Sequence, residues 1–358
     1  MKKWEPIIGI ILFALAVWGG QVPKQIIDDV RLATVTGYDW VDSTHFVGTV
    51  EAPNFNPDLT LTQVVYSEVA NISKINRREL NAESPYVIVS GKLQATLFNI
   101  PLAKHGLINR IDTLYRDPTI GEQIYLAIVD GQAKDLLSKQ YEQNLDDGTY
   151  LAELIEQNRK QSFLPTTNLH EFSVNYYTKG IDPCLPLLKV VNDKIQIEGV
   201  AFFNKDKYVG FVNKNDAVIL KMLRENFKSG SIMAKKEHSK KMLDMENISS
   251  RKKFKVTYVN GKPHVKVILN VDGIITETYD SKTMSNREME KLFENQIRRT
   301  SKKLLTRFQK VNCDPIGIGY QVSIRNRNWN FEQWKSGYKN VPIQVEVHVK
   351  IREKGLIT

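Results

Sequence analysis

Apolar and polar residues along this chain follow two interleaved periods, one of about two residues and one of about 3.6, so strands and helices alternate throughout. "DDVRLATVTGYDWVDSTHFVGTVEAP" predicts two β-rich segments separated by "DST", and "LTQVVYSEVANIS" predicts a third around Val64, Tyr66 and Val69. "YVIVSGKLQATLFN" reads as one further buried strand. In "PLAKHGLINRIDTLYRD", Leu107, Ile108, Ile111 and Leu114 fall at helical spacing, and Pro101 suits a first helical turn. "QIYLAIV", closed by Asp130-Gly131, predicts a short strand, and "QAKDLLSKQY" begins another helix. These elements predict an N-terminal α/β domain over residues 22–185, ending where Gly180, Pro183 and Pro186 interrupt both periods.

A middle domain is expected over residues 193–250. "IQIEGVAFFNKDKYVGFV" has the signature of two strands joined by the polar turn "NKDK". "NDAVILKMLRENF" reads as a helix, and "SGSIMAKKEHSKK" as polar and exposed. The C-terminal domain, residues 251–358, has the clearest pattern. Asn260-Gly261 between strand-like flanks predicts a tight two-residue hairpin. Ser285 and Glu288 form an S-x-x-E capping box ahead of a helix over Asn286–Lys310, about 37 Å long. Along it, Met289, Leu292, Phe293, Ile297, Leu304, Leu305 and Phe308 make one apolar stripe. Ile343, Val345, Val347, Val349 and Ile351 alternate with polar residues, which predicts a half-buried antiparallel strand able to cover that stripe. The fold class is thus mixed α+β in two to three domains, the last an antiparallel sheet packed on a long helix.

The beginning of the chain follows neither period. In "MKKWEPIIGIILFALAVWGGQVPKQ", Lys2 and Lys3 precede an uncharged apolar run from Ile7 to Trp18. A helix that spans a bilayer needs about 20 apolar residues, and this run is shorter. A positive segment followed by about 7–15 apolar residues is the layout of a secretory signal. Residues 1–21 therefore read as an export signal or membrane anchor, with Ala14 and Ala16 as a weak cleavage pattern. A buried N-terminal helix is the structural alternative.

Composition adds constraints. The 358 residues are 42% hydrophobic and 25% charged, as in a folded protein, with a net charge of +10. That excess admits nucleic acid, an anionic membrane surface or a polyanionic wall polymer as partner. The two cysteines, Cys184 and Cys313, rule out a disulfide-stapled scaffold and a cysteine-based zinc module; spacing does not say whether they pair. His45, His105, His170, His238, His264 and His348 form no metal-spaced motif, "GIGYQ" is not a complete dinucleotide loop, and neither a P-loop nor a G-x-S-x-G elbow is present. No catalytic, cofactor-binding or metal residue is assigned, and no cofactor is expected. The one candidate contact surface is the basic C-terminal half of the long helix: Arg298, Arg299, Lys302, Lys303, Arg307 and Lys310. These cations suit phosphates or lipid headgroups. They equally suit a solvated helix face near the negative end of the helix dipole.

Taken in order, several stretches resemble the Ger(x)C family, the C subunits of nutrient germinant receptors in spore-forming bacteria. They are "IIDDVRLATVTGYDW", "IDTLYRDPTIGEQIYLAIVDGQAKDLL", "EGVAFFNKDKYVGFVN" and "GIGYQVSIRNRNWNFEQWKSGYKNVPIQVEVHVKIREKGLI". The resemblance implies three mixed α/β domains, no known catalytic site, and an exported lipoprotein at the outer face of the spore's inner membrane beside A- and B-type receptor subunits. An exported chain does not meet cytoplasmic DNA, so nucleic acid is not an expected partner. One departure stands out: "VWGGQVPKQ" places Gln21 where the family carries its lipid-accepting cysteine, and Gln21 has no thiol to acylate. The alternative function is an extracytoplasmic protein that binds a small molecule or wall polymer.

Overall fold

The computed structural model describes residues 30–55, 61–141, 145–161, 163–235, 242–279 and 284–354. The segment read as export signal or anchor, Gln21 included, lies outside them. β1 (Val30–Leu32), β2 (Val35–Trp40), β3 (Phe46–Phe55) and β4 (Leu61–Ala70) come first, the last three as an antiparallel meander. Helix α1 (Ser73–Glu83) leads to β5 (Val87–Val89), which pairs in parallel with β1, and then to β6 (Ala95–Asn99), which pairs in parallel with β2. The stretch read as one strand is therefore two, because a turn closed by the Leu93 N–H on the Ser90 carbonyl (3.0 Å) redirects the chain. The predicted helix that follows is also divided. α2 (Ile100–His105) stops at Gly106, whose φ of 120° no helix contains, and α3 (Ile108–Tyr115) restarts beyond it. Pro101 sits in the first turn of α2, as expected.

β7 (Tyr125–Val129), α4 (Ala133–Leu137), α5 (Asp147–Gln161) and α6 (Leu169–Tyr177) precede β8 (Cys184–Val191), β9 (Lys194–Asn204) and β10 (Lys207–Asn213). One eight-stranded sheet runs in the order β10-β9-β8-β7-β6-β2-β3-β4. Its middle strands, β8, β7, β6 and β2, are parallel, and its margins are antiparallel. The boundary expected between residues 185 and 193 thus falls inside a continuous sheet. Gly180 and Pro183 precede β8, and Pro186 lies within it, opposite Val200.

α7 (Lys214–Arg224) then leads through β11 (Phe227–Lys228) and β12 (Ile232–Lys235) to the hairpin of β13 (Met242–Val259) and β14 (Lys262–Tyr279). The stretch read as polar and exposed contains β12, which buries Ile232 and Ala234 where it pairs with β13. Residues 250 and 251, where a boundary was expected, are neighbours within β13. Asn260 and Gly261 have φ of 51° and 74°, the two positive values of a primed turn.

Helix α8 (Asn286–Lys310) carries the expected capping box, with both Ser285–Glu288 hydrogen bonds made. α9 (Ile318–Ser323) and α10 (Phe331–Gly337) follow, and β15 (Ile343–Lys354) ends the described chain. β15 runs parallel to β14, from Val265 opposite Ile343 to Val271 opposite Val349. Alternation predicted an antiparallel strand; the C-terminal sheet is mixed instead. The reason is α8, which carries the chain back along the sheet, so β15 starts from the same end as β14.

Met289, Phe293, Ile297, Leu304, Leu305 and Phe308 are buried beneath α8 against Val267, Leu269, Val347 and Val349, while Leu292 is half-buried. Glu290 and Glu294 accept the backbone N–H groups of Ile351 (3.2 Å) and Val349 (3.3 Å), which occupies two of the donors on the open margin of β15. The same core continues into the large sheet, where Phe202 meets Phe308 edge to face with centroids 5.0 Å apart.

Candidate interaction surfaces

The six basic residues singled out on α8 are all exposed. They are not equally available. Lys303 is 3.2 Å from Asp216, and the Arg307 guanidinium lies over Phe202 and donates to the Phe211 carbonyl at 2.8 Å. Arg298 donates to Asn295 on its own helix (3.1 Å). Arg299 also has a partner within the molecule. For Lys302 and Lys310 no hydrogen bond or ion pair occurs among the described residues. Lys303 and Arg307 thus help to hold α8 to its surroundings.

A second basic surface lies on the solvent face of the C-terminal sheet. Arg251, Lys253 and Lys255 point outward from β13; Lys266 sits opposite Lys255, and Lys350 and Arg352 extend the face across β15. Asp272 draws in Arg352 (3.2 Å) and Arg251 (3.8 Å), and Glu346 takes Lys266 (3.1 Å) and His348 (2.8 Å). Cations remain in excess over these two carboxylates. The alternation of "RKKFKV" carries the signal on one strand, but the neighbouring columns come from residues far along the chain.

Where the two sheets meet, the loop before β8 and the loop after α8 bind each other. The Asp182 carboxylate accepts from the backbone N–H of Asp314 (2.8 Å) and of Lys205 (2.9 Å), with the Lys335 ammonium 3.6 Å away. The Asp314 carboxylate accepts from Gly317 (2.9 Å) and Gly319 (2.7 Å). Full burial, with Asp182 adding repulsion, pushes Asp314 up to about 7 against the backbone donors that pull it down. Cys184 and Cys313 are both free and buried, and Cys313 Sγ donates to the Phe203 carbonyl. Burial raises both thiols, Cys313 strongly, which makes them packing groups rather than nucleophiles.

A cleft of about 400 Å³ opens between the β13–β14 turn and the segment from α9 to β15. Tyr258, Lys262 and His264 line one wall, and the "NRNWNFEQW" stretch lines the other. Trp334 and Tyr338 anchor that stretch in the core at 7% and 1% exposure. The Gln309 amide on α8 holds the Tyr338 and Val341 carbonyls at 2.9 and 2.8 Å. Sequence reading passed over this site because its walls are formed by segments with no common motif.

Among the described residues, no three His, Cys, Asp or Glu side chains gather to hold a metal ion, and no helix is long and apolar enough to cross a membrane. Residues 23–190 match the family described as spore germination protein N-terminal domain, and residues 198–355 match the one described as spore germination B3/GerAC like, C-terminal. The chain is 28% identical to the spore germination protein GerQC of Bacillus cereus over 361 residues, 99% of each chain. It is 22% identical to the putative spore germination protein YfkR of Bacillus subtilis (strain 168), over 72% of this chain and 70% of that one. The crystal structure of the GerBC protein shares its fold, with a TM-score of 0.54 at 16% identity, covering 88% of this chain and 96% of that one. The chain belongs to the Ger(x)C family of spore germination proteins.

Proposed function

We propose that this Ger(x)C chain is a non-enzymatic, membrane-associated subunit of a spore nutrient germinant receptor, acting in germinant response and in assembly of the receptor with A- and B-type subunits. The observation that carries this reading is similarity along nearly the whole chain, through both halves, to proteins named for spore germination. Residues 1–21 supply export and attachment to the outer face of the spore's inner membrane; Gln21 cannot be acylated, so attachment there rests on the apolar run itself. The basic faces of α8 and of the C-terminal sheet support it, since both suit an anionic membrane surface or an acidic partner. Co-purification tests the assignment. An affinity-tagged chain drawn from detergent-solubilised spore membranes should bring A- and B-type subunits with it. Recovery of the chain alone, under conditions that keep another receptor intact, refutes it.

A further inference from the structure

We propose that the cleft between the β13–β14 turn and α10 is a binding site for a neutral pyranose sugar. Its polar lining is unusual in kind. Asn326, Asn328, Asn330, Gln333 and Asn340 bring five carboxamides to one cavity together with the indole of Trp329. Two of the amides use their oxygens locally: Asn326 accepts from the Asn328 N–H and Asn330 from the Gln333 N–H, both at 3.0 Å. Among the described residues, the side chains of Asn328, Gln333 and Asn340 make no hydrogen bond within the protein. Each offers both a donor and an acceptor, the pairing that vicinal hydroxyls require.

The rest of the lining selects against other classes. Among the described residues no carboxylate lines the cleft, so an ammonium group would find no countercharge there, and a zwitterionic amino acid is disfavoured. Among the described residues Lys262, exposed at the rim, is the only lysine or arginine in the lining, too little for a phosphorylated ligand. Trp329 packs on Trp334 and Phe331 at tilts of 45° and 58°, so no parallel pair of rings is left to sandwich a nucleobase. A half-buried indole beside several amides instead suits the apolar C–H face of a sugar ring whose rim carries hydroxyls. The volume falls within the range of small-molecule sites. Both walls are built in advance, one by the primed turn at Asn260-Gly261 and the other by the Gln309 clamp, so binding need not order a loop. The same chemistry admits a free monosaccharide or one unit of a neutral glycan chain.

Saturation-transfer NMR on the full chain in detergent tests this, with D-glucose, N-acetylglucosamine and its tetramer as probes and L-serine as the zwitterionic control. Saturation is expected to reach sugar protons and not those of L-serine. Asn328→Ala with Gln333→Ala removes two exposed side chains, so the melting temperature should hold while affinity falls about tenfold, the loss expected for two or so hydrogen bonds. Asn340→Ala, just past the C-terminal end of α10, provides an independent variant with a smaller loss. A tetramer that binds more tightly than the monomer identifies a glycan chain, and equal binding identifies a free sugar; both uphold the site. No transfer to any of the sugars, equal transfer to L-serine, or sugar binding unchanged in the variants overturns it.

Discussion

Asp182 and Asp314 clasp each other's backbone: the Asp182 carboxylate takes the Asp314 N–H at 2.8 Å, and the Asp182 N–H donates to the Asp314 carbonyl at 2.9 Å. Two loops that are 132 residues apart in sequence are thereby held as if they were adjacent strands. The pair joins the large sheet to the C-terminal one, and Lys335 closes it from α10 through Asn204 (3.0 Å) and the Asn312 carbonyl (2.8 Å).

That joint should make stability depend on pH. Asp314 is raised from 3.8 to about 7, so the folded chain keeps a proton that the unfolded chain has released. Its contribution is complete below about pH 4 and is lost as the pH rises towards 7. In urea melts, wild type should lose stability relative to Asp314→Asn across that window. Glu51, raised to about 8 by burial elsewhere, acts in the same direction but equally in both proteins. Melts that move in parallel at every pH would remove Asp314 as the source.

Gly319→Ala should cost about 1–3 kcal/mol, the usual cost of overpacking. A Cβ there would stand 2.3 Å from Trp334 Nε1 and 2.9 Å from the Gly180 Cα, neither of which is a flexible side-chain end. Thermal denaturation gives the value, and an unchanged midpoint would mean that α9 and the Gly180 loop can move apart.

For Gly261→Val the expected loss is about 1–3 kcal/mol, from backbone strain alone. Space around the residue is open, but its φ is 74°, where a β-branched side chain fits badly. Gly261→Asn, which tolerates that region, should recover most of the stability in the same assay.

Along α8, stability and surface chemistry should separate. Ile297→Ala or Leu304→Ala should each cost about 2–5 kcal/mol, because both are buried to 1% exposure or less. Lys302→Glu with Lys310→Glu should leave the melting curve in place. The same double variant should sediment less with phosphatidylglycerol vesicles, most clearly at low salt. Lys253→Glu with Lys350→Glu makes the parallel test on the sheet face. If neither pair changes sedimentation, the anionic surface assigned to these faces is wrong.

The hairpin at Asn260-Gly261, the Ser285–Glu288 cap and the buried stripe of α8 were legible in the sequence, because each is set by residues within a turn or two of one another. The direction of β15 was not, since alternation reports which face is buried and is the same for either direction. Nor was the continuity of the large sheet, where Gly180 and two prolines look the same whether the chain leaves a domain or turns back into it. The basic face of the sheet and the amide-lined cleft were hidden for a related reason. Lys350 on β15 joins the β13–β14 face, and Tyr258 meets the Trp329 region, only after strands and loops from distant parts of the chain come together.

The parallel placement of β15 also governs how this half of the molecule can be made. During synthesis, β13, β14 and α8 all leave the ribosome before the strand that completes their sheet. Until then the β14 margin is unpaired, and α8 has no partner for the side of its stripe that meets Val347 and Val349. Closure spans more than sixty residues, a long and slow loop to shut. The late intermediate therefore exposes an apolar helix and an open strand margin together, the combination most prone to pair with another chain. A cell producing this protein should need a chaperone most during the interval that ends with the emergence of β15.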